Sequence, residues 1–231
     1  IALLGRSGLR ARAHRLTIAR GLIMTNETQS IDHASERVLS RLIFFSDAVF
    51  AIVLTLLVLE LRPPPAKTDA ALLNGLWALS PHLLAFVSSF ALVSAFWVAH
   101  MSIMRMLAAF DWRVAIVNLL FLFTITLMPF AAGVLGEHGL GVAWQIYCAV
   151  LIAASLTQTL LLVTIAQAPN HLTPRDFWRR FLRALSPAIA FAVGFALNVA
   201  GYRLYSFFCW TLIPVIFLIV RLALGPRRAR A

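Results

Sequence analysis

Cysteine and charge are the two scarcest features of this 231-residue chain. It contains 2 cysteines, and Lys, Arg, Asp and Glu together make up 13% of its residues, whereas an average soluble domain has about 25%. Cys148 and Cys209 lie far apart within apolar stretches, and neither has a His or Cys neighbour at metal-ligand spacing. A cysteine-based metal site is therefore excluded, and both are expected to be small packing residues.

Sequence patterns for catalysis and for nucleic-acid binding are also missing. No nucleophile–base pair, phosphate-binding loop or metal-ligand set is recognisable, so the chain is predicted not to be an enzyme and to need no cofactor or metal. The net charge of +11 comes from arginines that cluster between and outside the apolar stretches, not along one face of a soluble helix. This distribution excludes nucleic acid as a partner.

Apolar residues, by contrast, make up 61% of the chain. Several stretches reach the ~20 residues that a helix needs to cross the ~30 Å hydrocarbon layer of a bilayer. The predicted fold is an all-α integral membrane protein with six transmembrane helices and no soluble domain. The expected spans are residues 39–61, 72–100, 113–135, 142–167, 182–200 and 204–224.

These spans divide the chain into three expected parts. Residues 1–36 form a basic and polar N-terminal segment, residues 37–224 the six-helix domain, and residues 225–231 a basic C-terminal tail. Because the first methionine is Met24, residues 1–23 are expected to be either a basic tail or an upstream extension that is not translated natively. A cleaved signal peptide is not expected there, because no uninterrupted apolar core precedes a small-residue cleavage site.

The basic residues predict the orientation of the spans. With six spans, both termini share one side of the membrane, and all of the 20 lysines and arginines except Arg62, Lys67 and Arg203 fall on that side. Lysine and arginine are enriched in cytoplasmic loops. Both termini are therefore expected to be cytoplasmic, in a multi-pass protein of the cell (plasma) membrane.

Polar residues interrupt the first span where lipid cannot solvate them, so each needs a protein partner or a watery cavity. The end of the second span and the start of the third lie at the same predicted depth. Six side chains are thus expected at one level of the membrane: Arg41, Ser46, Asp47, Trp97, His100 and Asn118. A structural hydrogen-bond cluster is the simplest interpretation, and a proton relay through His100 and Asp47 is the alternative.

An apolar stripe runs along the same first span. At 100° per residue, four apolar side chains share one face, with Ala48 and Thr55 beside them: Phe45, Ile52, Leu56 and Leu59. Ser46 and Asp47 point away from this stripe. Taken alone, the stripe indicates an ordinary seam for helix–helix packing.

The motif Arg41-x-x-x-Phe45-Ser46-Asp47 resembles the signature of the transmembrane protein 175 family of lysosomal and prokaryotic potassium channels. The likeness continues through Ala-Val-Phe-Ala-Ile and Thr-Leu-Leu-Val-Leu-Glu-Leu. It includes Phe96-Trp97-x-x-His100, Asn118-Leu-Leu-Phe and Met128-Pro129-Phe130. The resemblance covers roughly residues 37–131, whereas the later spans agree mainly in number and hydrophobicity.

The resemblance implies a cation channel whose pore is lined by the first helix of each repeat. The hydrophobic constriction would fall at Ile52, with Leu56 and Leu59 at the next pore-facing positions and a threonine layer at Thr55. The polar residues would then hold the pore helix and not contact the ion. Only one copy of the signature is present, whereas animal members have two, so a symmetric homotetramer is implied.

The partners that the resemblance implies are the lipid bilayer and permeant monovalent cations, potassium above all. The Thr-Val-Gly-Tyr-Gly filter of other potassium channels is absent, so selectivity is expected to be modest. A proton-coupled secondary transporter using Asp47 and His100 is the alternative, although neither internal repeats nor broken midplane helices are evident. A membrane subunit without transport activity is the third interpretation.

Overall fold

A computed structural model describes residues 35–167 and 173–224 of the chain. The chain divides into two units, residues 1–42 and 43–231, which are described separately. Throughout the described ranges the regular elements are α-helices and short 3₁₀ turns, without strands. Most of residues 1–36 and all of residues 225–231 lie outside the described part.

The regular elements of the described residues are nine α-helices and two 3₁₀ turns. Their bounds are α1 Ser35–Glu60 with a 3₁₀ last turn at Leu57–Glu60, α2 Asp69–Ala78, α3 Ser80–Met104, α4 Trp112–Thr126, α5 Met128–His138, α6 Val142–Ala166, α7 Pro174–Val199, α8 Arg203–Phe207, a 3₁₀ turn at Phe208–Thr211, and α9 Leu212–Leu224.

Six helical stretches are long and apolar enough to cross a membrane, which confirms the predicted all-α fold with six spans. The first is α1, the second α3, the fourth α6 and the fifth α7. The third and sixth combine consecutive helices, over Trp112–His138 and Arg203–Leu224.

The second span is shorter than the prediction of residues 72–100. The structure places a separate helix, α2, before it, capped by Thr68 Oγ1, which accepts a hydrogen bond from Ala71 N at 3.3 Å. Helix α3 then begins anew with Pro81 in its first turn. Proline lacks an N–H group and is tolerated better in a first turn than inside a helix, so it marks a boundary here.

The fifth span is longer than the prediction of residues 182–200. Helix α7 begins at Pro174 because Thr173 Oγ1 caps it, accepting from Asp176 N at 3.2 Å. Its first turns carry several charged residues. Apolar content alone therefore underestimates its length, whereas the capping residue and the first-turn proline define its start.

The core lies where α6 packs against α7 and α4, and where α3 packs against α5. Phe121, Leu151 and Phe191 are among its buried side chains. From the first helix, Phe50, Val53 and Leu57 reach the same core and are at most 2% exposed. One face of residues 43–60 is therefore buried in the core of this unit.

Candidate pore helix and its polar anchor

Residues 43–60 present two faces that differ sharply in burial. Ser46, Phe50 and Leu57 are at most 1% exposed. Ala48 and Thr55 are exposed. The four side chains of the predicted stripe are also exposed, by 51% for Phe45, 57% for Ile52, 41% for Leu56 and 66% for Leu59. Such a large apolar surface on a helix of this unit has to be covered by lipid or by another protein surface.

A hydrogen-bonded chain anchors the buried face. Asn118 Nδ2 on α4 donates to Ser46 Oγ at 2.9 Å, and Asn118 Oδ1 lies 2.7 Å from His100 Nε2 on α3. Ser46 and Asn118 are 0% exposed and His100 is 2% exposed. Because the Asn118 oxygen can only accept, His100 Nε2 is the donor. One asparagine thus joins three of the spans at a single level.

Aromatic side chains enclose this chain. The His100 ring stacks on Phe121 with centroids 5.4 Å apart, and the Phe50 ring lies 5.7 Å from His100 and 5.9 Å from Phe121. Hydrogen bonds are electrostatically stronger in such an apolar surrounding than in water, and an unpaired polar group there is correspondingly unfavourable. The network therefore fixes the rotation of the first helix about its own axis.

The signature aspartate has a different partner. Trp97 Nε1 on α3 donates to Asp47 Oδ1 at 2.9 Å, and Asp47 is partly buried. Trp97 and His100 lie one turn apart on the same helix. Asp47 is therefore held by an indole and His100 by an amide, whereas a proton relay would need a continuous path between these two residues.

Arg41 belongs to the N-terminal unit and is exposed. Five of the six side chains expected at one level form two hydrogen-bonded sets. Ser46, His100 and Asn118 form one set, and Asp47 and Trp97 form the other. Phe45, which belongs to the same motif, lies on the exposed stripe and not in the network.

The hydroxyl proton of Thr55 takes part in a hydrogen bond within the same helix. Its Oγ1 donates to Ile52 O at 2.7 Å. The lone pairs of the Thr55 oxygen therefore remain as the polar acceptor on the exposed face. A hydroxyl oxygen in this state can face a cation but offers no proton to it.

Two polar side chains of α6 add supporting contacts to neighbouring helices. Gln158 Nε2 on α6 donates to Phe96 O on α3 at 2.9 Å. Ser155 Oγ on α6 donates to Ala184 O at 2.7 Å and accepts from Ala188 N at 3.0 Å. Ser155 thus bridges the turn of α7 that Pro187 opens. A proline inside a helix signals an interrupted backbone hydrogen bond, but the sequence does not show which neighbouring side chain bridges it.

No group of three or more His, Cys, Asp or Glu side chains that could hold a metal ion occurs in the described ranges. Cys148 and Cys209 are buried free thiols. The site therefore offers an apolar stripe, one hydroxyl oxygen and a polar anchor behind them.

Comparison with known proteins gives concordant matches. The model of the family described as the endosomal/lysosomal potassium channel TMEM175 matches residues 41–129. A potassium channel of Chamaesiphon minutus is 31% identical over 181 residues, which cover 76% of this chain and 88% of that relative. A potassium channel of Streptomyces collinus is 31% identical over 166 residues, covering 69% and 77% respectively.

A solved structure shows the same architecture. The crystal structure of a lysosomal potassium-selective channel TMEM175 homologue from Chamaesiphon minutus matches with a TM-score of 0.66 at 26% sequence identity. The match covers 82% of this chain and 100% of that chain. The family match includes both hydrogen-bonded sets around the first helix, because Asp47, His100 and Asn118 all lie within it.

Proposed function

The chain belongs to the TMEM175 family of ion channels, as the signature around Asp47 predicted, and on this basis we propose that it is the subunit of a modestly selective, potassium-permeable cation channel. It is a multi-pass membrane protein. The family consists of channels and not of enzymes. A proton-coupled transporter using Asp47 and His100 is not favoured, since Trp97 and Asn118 hold the two groups separately.

The observation that carries the pore assignment is the contrast between the two faces of residues 43–60. The face bearing Ser46 is anchored inside the subunit, so the opposite face cannot turn inward to bury itself. Ile52 and Leu59 remain more than half exposed on that opposite face. Four copies of this face around one axis would cover each other and enclose a narrow apolar passage.

In such a homotetramer, Ile52, Leu56 and Leu59 form successive apolar rings. Hydrophobic constrictions gate ion flow by excluding water from a narrow path, and the ring at Ile52 is the proposed constriction. The channel domain comprises residues 37–224, with residues 1–36 and 225–231 as flanking basic segments. We place the assembly in the cell membrane with both ends of the domain on the cytoplasmic side.

A ring of four Thr55 hydroxyls supplies the polar contribution to selectivity. Each hydroxyl donates to its own backbone at Ile52 O, so its lone pairs point away from that bond. Oxygen acceptors can replace part of the hydration shell of a cation. Because the ring provides few oxygens, potassium is preferred over sodium only modestly.

The polar anchor positions the pore helix. Asn118 joins the first helix to α3 and α4 through Ser46 and His100. Trp97 adds a second attachment through Asp47. Neither attachment lies on the stripe, so these residues act on ion flow through the rotation of the helix. Arg41, the first residue of the signature, is assigned to the cytoplasmic end of the same helix.

Reconstitution of the purified full chain in planar bilayers tests the function. A channel gives discrete single-channel currents that follow the potassium gradient, whereas a carrier gives saturable coupled exchange. Absence of both in protein that native mass spectrometry shows to be tetrameric would contradict the proposal. A different oligomeric state would contradict the fourfold pore even if currents were seen.

A further inference from the structure

The first turns of α7 carry a row of arginines that meets the last turns of α9. Arg175, Arg179 and Arg183 are spaced four residues apart, so they share one face of the helix. Arg179 Nη2 donates to Leu224 O at 2.9 Å, and the guanidinium carbon of Arg183 lies 5.6 Å from the centre of the Phe217 ring. The arginine face of α7 is therefore directed towards the end of α9.

This junction holds more positive than negative charge. Arg221 follows Phe217 by four residues, so it lies on the same face of α9, and it is exposed. Asp176 is the single acidic residue of α7, and the sequence of α9 contains none. The junction thus combines one carboxylate with four guanidinium groups, which we call the arginine cluster: Arg175, Arg179, Arg183 and Arg221.

Packing of the two helices accounts for one member of the cluster. Arg179 is 5% exposed, and a guanidinium so deeply buried needs charge or carbonyl partners. Its Nη1 lies 3.6 Å from Asp176 Oδ1, and its Nη2 bonds the last carbonyl of α9, at the negative end of that helix dipole. Arg179 therefore holds α7 against α9, and the other three arginines exceed the acidic residues of both helices.

The cluster lies at the depth of lipid headgroups. Helix α7 has 26 residues, about 39 Å, whereas the hydrocarbon layer is about 30 Å thick, so its first turns extend into the headgroup region on the proposed cytoplasmic side. Trp178 in these turns is 53% exposed, as is typical of aromatic residues at a membrane interface. Leu218 and Leu222 of α9 are 55% and 74% exposed and present an apolar surface beside the arginines.

The chemistry of this surface indicates its ligand. The planar guanidinium group matches the geometry of a phosphate and can bind it through two hydrogen bonds. Basic sites between membrane helices on the cytoplasmic side attract anionic lipid headgroups. A soluble phosphate would meet the same arginines but gain nothing from the exposed leucines, whereas an anionic lipid would contact both.

We propose that the arginine cluster binds one anionic phospholipid, whose phosphate contacts Arg183 and Arg221. The acyl chains lie along the exposed leucines of α9. Arg175, about 12 Å from Arg183 along α7, adds electrostatic attraction at longer range, and Arg179 positions the two helices. The site is separate from the exposed stripe of the first helix, so it does not depend on the pore assignment.

Native mass spectrometry of the full chain purified in detergent tests this site by counting bound lipids. The chain is titrated with phosphatidylglycerol or with phosphatidylcholine of the same acyl chains. We expect phosphatidylglycerol to bind at least about fivefold more tightly, because each basic residue at a membrane surface favours anionic lipid by about this factor. Inorganic phosphate at millimolar concentration should not displace the lipid, since it lacks the apolar part.

Two variants and a matched control locate the lipid. Arg221→Gln should weaken phosphatidylglycerol binding about fivefold and leave phosphatidylcholine binding unchanged. Arg105→Gln is the control, because Arg105 is exposed at the end of α3 on the same side of the membrane and loses the same charge. Arg183→Gln should behave as Arg221→Gln does. If its lost contact with Phe217 prevents folding, the exposed Arg221 still provides the measurement.

Three results would overturn the proposal. Equal affinity of the unmodified chain for the two lipids would show that the cluster does not select an anionic headgroup. Equal weakening by Arg221→Gln and Arg105→Gln would indicate a general attraction to the basic surface and no site at α7 and α9. Displacement of the lipid by inorganic phosphate would identify a soluble anion as the ligand. All of these measurements count bound lipid, so they are independent of channel activity.

Discussion

The two faces of residues 43–60 are built from different chemistry and are held in place differently. The buried face combines Ser46 with Phe50, Val53 and Leu57, and each of these is at most 2% exposed. The opposite face bears apolar side chains and one threonine, and its large apolar residues are 41–66% exposed: Phe45, Ile52, Leu56 and Leu59. Both faces are predominantly apolar, so hydrophobicity alone does not distinguish them.

The difference shows where rotational specificity comes from. In a membrane, burying one apolar face of a helix instead of another changes the free energy little, because lipid is as apolar as leucine. A buried hydrogen bond has a single geometry, and leaving its groups unpaired in an apolar surrounding costs free energy. One serine bonded to Asn118 therefore decides which apolar residues remain free to line a passage.

Breaking the anchor is expected to have the largest effect. Asn118→Leu keeps the size of the side chain but leaves Ser46 and His100 without this partner, which should lower the free energy of unfolding by about 2–4 kcal/mol. Thermal unfolding in detergent measures the loss. Asn74→Leu is the matched control, because Asn74 is exposed on α2. Equal stability of both variants would contradict the anchoring role of Asn118.

Altering the exposed stripe of the first helix should change ion flow more than stability. Ile52→Asn places a polar side chain in the proposed apolar constriction, so water should enter and conductance should rise roughly tenfold, equivalent to about 1.4 kcal/mol of barrier. Single-channel recording in planar bilayers measures this. Ala51→Asn, an exposed neighbour about 100° around the helix, is the control. A pore at Ile52 is refuted if conductance is unchanged or rises equally in the control.

The second attachment is weaker than the first because Trp97 and Asp47 are only partly buried. Trp97→Phe removes the hydrogen bond and keeps an aromatic ring, so the free energy of unfolding should fall by about 1 kcal/mol. Trp77→Phe serves as control, since Trp77 is 78% exposed. The measurement is again thermal unfolding, and an equal change in both variants would mean that the contact with Asp47 contributes nothing.

Sequence reasoning recovered the fold well for a physical reason. Helices that cross a bilayer must satisfy every backbone hydrogen bond internally, so apolar length alone reveals them. It misplaced boundaries at two points where local chemistry decides. Pro81 starts a new helix instead of lying inside a longer one, and Thr173 caps α7 several residues before its apolar part begins.

The site was predictable only in outline. Period-3.6 spacing correctly separates Ser46 from Ile52, and equal membrane depth brings His100 near Asn118. Spacing does not say that Asp47 pairs with Trp97 and not with His100, because that depends on side-chain direction across two packed helices. The stacking of Phe121 on His100 and the bridge from Ser155 to the Pro187 turn likewise have no pattern in one sequence.

The smallest effect is expected for Thr55, the one polar residue beside the exposed stripe. Thr55→Val preserves shape and removes the hydroxyl oxygen, so the preference for potassium over sodium should fall roughly two- to fivefold, the equivalent of about 0.5–1 kcal/mol for a lost oxygen contact. Reversal potentials under bi-ionic conditions measure this ratio. Thr126→Val is a close control, because Thr126 is exposed on α4 and its Oγ1 donates to Phe123 O at 2.7 Å, as Thr55 does to Ile52. An unchanged ratio in Thr55→Val would leave selectivity to the apolar rings alone, and the two faces would then differ only in burial.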